Sequence, residues 1–213
     1  MIMIRNGFAI FALSAAFIAA PVLGANELGK EQVGEDTVAD KLQETDNESF
    51  VLASAPEADA VTVTQLRESG YVPGQRVTVR GQIGGRKMPW IKGMALMVVA
   101  DANSLATCTT GSCGTPWGFC SAPADKLHQY TGIVRWLDEE GKPRRVSFHE
   151  LADIAPLSTV VITGTIADVG DPRALVIDAD GLFLEDRGPY GDMMDQLKKS
   201  GKGPYATSPN PGS

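Results

Sequence analysis

Cys108, Cys113, Cys120 and His128 fall within one stretch, spaced Cys-x4-Cys-x6-Cys with the histidine further on. Three thiolates and a neutral imidazole are a complete tetrahedral Cys3His set, so zinc is the one cofactor the sequence puts forward. In an oxidising compartment two of the thiols would instead join as a disulfide and leave the third spare, or available for a bond between molecules. Cys108 and Cys113 have Gly111 between them, and a turn of that length brings Cα atoms within the about 4.4–6.8 Å a disulfide needs. A nucleophilic Cys120 with His128 as its base would need a third, orienting group and oxyanion donors, and the sequence displays neither. Haem attachment is excluded, because no Cys-x-x-Cys-His occurs. The zinc and disulfide readings both stay open. Thr115-Pro116-Trp117-Gly118 inside the same loop combines a turn with a bulky anchor.

A second set of residues is basic and aromatic. Arg76 and Arg80 alternate with Val77 and Val79 and so face outward if the valines face a core. Arg86, Lys87 and Trp90 follow in a loop, and Arg135, Trp136, Arg144 and Arg145 belong to a later hairpin. Arginines interleaved with tryptophans suit single-stranded nucleic acid through phosphate contacts and base stacking. The same surface would also take an anionic glycan, a peptide or a protein partner. Against this stands the ordinary solvated strand face, with the tryptophans plugging barrel ends. A net charge of −7 favours the plainer reading over a general nucleic-acid coat.

Little points to catalysis. His149 follows a capping Ser147 in a short helix, where a surface position is expected. No Gly-x-Ser-x-Gly, Walker-type loop, His-Glu-x-x-His or dinucleotide fingerprint is present. Asp168, Asp171, Asp178 and Asp180 read as turn formers and lack EF-hand spacing. The chain is expected not to be an enzyme.

The elements that must hold these residues are mostly strands. Val77-x-Val79-x-Gly81-x-Ile83 has the period of a half-buried strand, and Val160-x-Ile162-x-Gly164-x-Ile166 repeats the grammar. A glycine on the inward face is tolerated where a strand bends at a barrel corner. Residues 94–101 form a buried apolar strand, residues 130–136 and 144–148 flank a turn at Gly141, and 174–185 supply the last strand. Ser147-x-x-Glu150 opens a helix over 149–154, which Pro156 stops. The expected fold is all-β: a small five-stranded Greek-key OB-fold barrel with one short helix and disordered termini.

The segment Gly74–Gly81, together with Val160–Thr165 and Asp178-Ala179-Asp180-Gly181, resembles bacterial OB-fold domains of the anticodon-binding type. It is also similar to a group of exported bacterial OB-fold proteins with a Cys-containing Thr-Pro-Trp loop. The first resemblance implies nucleic-acid binding. The acidic balance, the Cys loop and an export signal depart from that pattern.

That signal is Arg5 followed by an apolar run to Ala20 and then Pro21-Val22-Leu23-Gly24, the layout of a secretory leader. Cleavage is expected before Ala25, leaving no membrane span; the alternative is an uncleaved anchor. Residues 25–60 are strongly acidic and poor in apolar side chains, as a flexible linker would be. Residues 61–187 are assigned to the barrel and the Gly- and Pro-rich 188–213 to a flexible tail, with at most a weak helical turn near Met193. The whole is expected to be an exported, periplasmic or secreted, non-catalytic binding module. The alternatives are an OB-fold nucleic-acid-binding protein, and a metal-binding or redox-linked protein acting through the Cys loop.

Overall fold

A computed structural model describes residues 49–101, 103–105 and 113–200. The expected leader, the linker up to residue 48, Cys108 and the end of the tail from residue 201 lie outside the described residues. All described residues fall within one of the chain's two compact units, Asp36–Ser213.

The elements in chain order are β1 (Val61–Thr62), α1 (Val63–Ser69), β2 (Arg76–Ile83), β3 (Trp90–Ile91) and β4 (Met94–Ala100). A 3-10 turn (Pro116–Gly118), α2 (Ala124–Leu127) and β5 (Thr131–Arg135) follow. α3 (Phe148–Leu151), β6 (Thr159–Ile166), β7 (Val176–Asp186) and α4 (Gly191–Lys199) complete the fold. β2 pairs antiparallel with β6, β6 with β7, and β4 with β5. β5 runs parallel to β7. The pairing of Gln82 and Ile83 with Ala100 and Val99 then joins β2 back to β4. Five strands thus close a barrel, with β1 and β3 as short additions. This is the OB-fold architecture expected from the sequence.

The two inward glycines are the corners. At Gly164 a Cβ would lie 2.5 Å from the Asp178 carbonyl oxygen and 2.9 Å from the Ala179 Cα, where the β6–β7 register shifts. At Gly81 it would lie 3.2 Å from the Ala100 carbonyl at the closing seam. Removing the side chain lets the backbones approach closely enough to turn. Val77, Val79 and Ile83 alternate with more exposed neighbours and enter the core with Met97, Ile162, Ile177 and Leu182.

The Ser147–Glu150 capping box forms and opens α3, which spans Phe148–Leu151 and ends sooner than expected. Asp153 adopts a left-handed φ of 51° there, which stops helical bonding. His149 is buried, not at the surface: its ring stacks on Trp90 at 5.4 Å. α4 is longer than the weak turn the sequence allowed. Arg187 grips Asp195 at 2.7 Å and Asp153 at 3.1 Å, while Met194 is buried. The Asp195 hydrogen bond, first among several causes, holds the Arg187 guanidinium above its ordinary pKa. Phe50, within the expected linker, is also part of the core. Among the described residues no helix is long and apolar enough to cross a membrane.

Candidate functional site

β7 answers the three strand arginines of the basic face. Arg76 reaches Asp180, with a second bond at 3.0 Å, and Arg80 donates to Glu185 at 2.6 Å. Arg135 pairs with Asp178, whose hydrogen bond holds the guanidinium above its ordinary pKa against the opposing effect of burial. Thr163 donates its hydroxyl to Asp180 as well, at 2.7 Å. These arginines therefore face carboxylates and leave little net field for an anionic ligand.

Neither tryptophan of the set is a surface platform. Trp136 is buried with Phe50 stacked at 4.3 Å, and the Arg144 guanidinium lies 4.3 Å from its ring centre. Trp90 is buried, and its indole Nε1 has no hydrogen-bond partner among the described residues. Arg86, Lys87 and Arg145 are exposed. Sequence periodicity puts a side chain in or out but cannot reveal a ring arriving from residue 50 or 149 to cover it.

A cleft of about 320 Å³ opens elsewhere, where β4 and β5 meet the segments 84–90 and 167–175. Val98, Thr131 and Ile133 form its floor, while Arg86, His128, Asp171 and Arg173 stand around it. OB-folds use this face and these two loops for oligonucleotides and oligosaccharides. At its edge lies Arg67 of α1, which donates to the Tyr71 hydroxyl at 3.3 Å, the Arg173 carbonyl at 3.1 Å and the Thr131 carbonyl at 3.0 Å. Its Nε is buried and has no partner among the described residues. Every partner of this guanidinium is neutral, so its charge is not cancelled. Burial pushes its pKa below the ordinary value, Tyr71 opposing, yet a guanidinium stays charged in proteins.

Arg173 and Asp171 neutralise each other at 3.3 Å. The Arg173 backbone amide, then its side chain, holds the Asp171 carboxyl below its usual pKa, with His128 adding a smaller attraction. Among the described residues Arg67 and Arg86 remain as the cleft's unbalanced cations. Arg67 and Arg173 carry no signal of this role in the sequence, where Asp171 reads as a turn former, although Thr62-x-x-Gln65 before Arg67 is a capping-box signature. That box forms, and it places Arg67 in the last turn of α1.

Cys113 and Cys120 do not line this cleft. Cys113 and Cys120 bring their Sγ atoms to 3.6 Å. His128 lines the cleft, and among the described residues no three His, Cys, Asp or Glu side chains gather as metal ligands. The expected pairing of Cys108 with Cys113 lies outside the described residues.

No family model and no curated protein matches the chain. Among solved structures, a chain described as an aspartyl-tRNA synthetase of Leishmania major Friedlin aligns with 12% identity and a TM-score of 0.39. The alignment covers 73% of this chain and 27% of that one, so the protein spans about a quarter of its length. At that similarity the match carries no argument about ligand or activity.

Proposed function

We propose that the protein is an exported, non-catalytic OB-fold binding module that takes an anionic group of its ligand in the cleft beside Arg67. The carrying observation is the Arg67 guanidinium, held by three neutral oxygens on the face such barrels use for ligands. A carboxylate, sulfate or phosphate supplies the opposite charge that a carbonyl or hydroxyl cannot. Arg86 stands on the opposite loop and adds a second cation.

An acidic glycan suits this arrangement better than a single-stranded nucleic acid. Base stacking needs open aromatic faces, and every described Phe, Tyr and Trp is buried or half-buried. Column retention tests the reading: the protein should be held on a sulfated or carboxylated glycan and released by salt, with weaker retention on single-stranded DNA. Equal passage through both columns would refute anion binding, and preferential retention on DNA would establish the nucleic-acid alternative.

A further inference from the structure

The stretch from Cys113 to Cys120 is a closed loop with its two sulfurs at the base. Between them Thr115 leads into the Pro116–Gly118 turn, and Phe119 reverses the chain with a left-handed φ of 50°. The loop does not hang in solvent. Phe119 and Trp117 are buried in a small second core with Ala100, Leu105 and Leu157. The sulfurs therefore stand on a backbone already fixed by packing at a separation of 3.6 Å. Closing to a bond of about 2.05 Å is within reach of side-chain rotation.

The same loop supports one wall of the cleft. The Trp117 carbonyl accepts the Gly85 amide at 2.9 Å, and the Trp117 indole donates to the Lys87 carbonyl at 3.0 Å. At Gly84 a Cβ would sit 2.7 Å from the Trp117 carbonyl oxygen and 2.8 Å from the Phe119 ring. Arg86 lies between these contacts.

We propose that Cys113 and Cys120 form a reversible disulfide that clasps this loop and, through Trp117 and Phe119, stiffens the 84–90 segment carrying Arg86. The oxidant is a low-molecular-weight disulfide. The exposed Cys120 is the entry point: its thiolate attacks one sulfur of the external disulfide, forms a mixed disulfide and expels one thiolate. Cys113 then attacks the Cys120 sulfur and expels the second. Two protein thiols are oxidised, one external disulfide becomes two thiols, and the protein's two protons pass to them. The clasp does not depend on what the cleft binds.

The test equilibrates the full chain in glutathione redox buffers, maps disulfides by mass spectrometry and follows hydrogen exchange at the Gly85 amide. Oxidation should produce the Cys113–Cys120 link and slow Gly85 exchange by about tenfold or more. Both effects should persist in Cys108→Ser and vanish in Cys113→Ser and in Cys120→Ser. A dominant link containing Cys108, no link at all, or a link that leaves Gly85 exchange unchanged would overturn the proposal. So would zinc retained by the reduced chain through both sulfurs. Because linkage and exchange are read without any ligand, the outcome is separable from that of the column experiment.

Discussion

Phe50 stacks on Trp136 with ring centres 4.3 Å apart and planes 24° from parallel. The ring lies eleven residues before the first strand and yet seals the barrel. Val51 bridges Leu182, and the Leu52 amide donates to the Leu182 carbonyl at 2.8 Å, so the backbone is fastened beside it. Phe50→Ala should cost about 3–5 kcal/mol, as other buried Phe truncations do. Urea denaturation followed by Trp fluorescence measures it. A loss under about 1 kcal/mol would mean the ring is not part of the folded core.

Gly164 makes the opposite prediction, in which added atoms do the harm. A methyl there meets backbone atoms of Asp178 and Ala179, which cannot swing aside as the end of a flexible side chain could. Gly164→Ala should destabilise the barrel by about 1–3 kcal/mol. Gly141, with nothing within 4 Å, provides a contrast in which only the positive φ of 75° resists an added methyl. Thermal unfolding of the two variants separates steric closure from turn strain, and equal losses would remove the corner argument.

These two residues mark what was legible in the fold. Gly164 lies inside a strand whose period of two is local, so both strand and corner can be read from eight consecutive residues. Phe50 follows Asn47, Glu48 and Ser49 and opens only a four-residue apolar run, Phe50-Val51-Leu52-Ala53, inside an acidic stretch that reads as linker. Only a partner 86 positions away gives the ring its place. Composition over a window cannot carry that information. α4 was obscure for the same reason: the pairing of Arg187 with Asp153 and Asp195 depends on where the chain returns.

Asp101 predicts a pH dependence. Its carboxylate is buried and accepts the Thr64 amide at 3.3 Å and the Asn103 amide at 2.9 Å, tying α1 to the end of β4. Burial pushes its pKa upward, but hydrogen bonds from Thr64, Thr62 and Asn103 together outweigh that and hold it below the ordinary value. A depressed folded pKa means the unfolded chain takes up the proton first as the pH falls. The stabilisation is therefore complete above the unfolded value of about 3.9 and drains away as pH drops through the lower folded one. Asp101→Asn should lose about 1–3 kcal/mol at pH 7 and flatten the stability profile below pH 4. An unaltered profile would show that other carboxylates govern acid unfolding.

The site was less legible than the fold, because charge balance is a long-range property. Arg76 and Asp180 are 104 residues apart in sequence, and Arg80 and Glu185 are 105 apart. Read along the chain, the first member of each pair is a bare cation; in the barrel it faces a carboxylate. Arg67 shows the converse. Nothing in Gln65-Leu66-Arg67-Glu68 marks an exceptional arginine, and the nearby Glu68 hints at ordinary pairing. The bonds to Tyr71, Thr131 and Arg173 are made instead, and they leave the charge standing.

Arg67 and Arg86 should accordingly fail in different ways. Arg67 ties α1, β5 and the 167–175 segment together and also supplies charge, so Arg67→Met should weaken both folding and anion retention. Arg86 is exposed and has no ion-pair partner among the described residues, so Arg86→Ala should leave stability within about 0.5 kcal/mol. Its removal still takes one cation from the cleft, and a charge-assisted contact of about 1.4 kcal/mol corresponds to tenfold in affinity. Titration with a sulfated oligosaccharide at several salt concentrations reads both affinity and salt dependence. The expected result is about tenfold weaker binding for Arg86→Ala with unchanged unfolding, and a shallower salt dependence, since one fewer cation displaces counterions. Arg76→Ala is the comparison, because Asp180 already neutralises that arginine. If Arg76→Ala weakened binding as much as Arg86→Ala, the ligand would lie on the β2–β6–β7 face and the assignment to the cleft would fall.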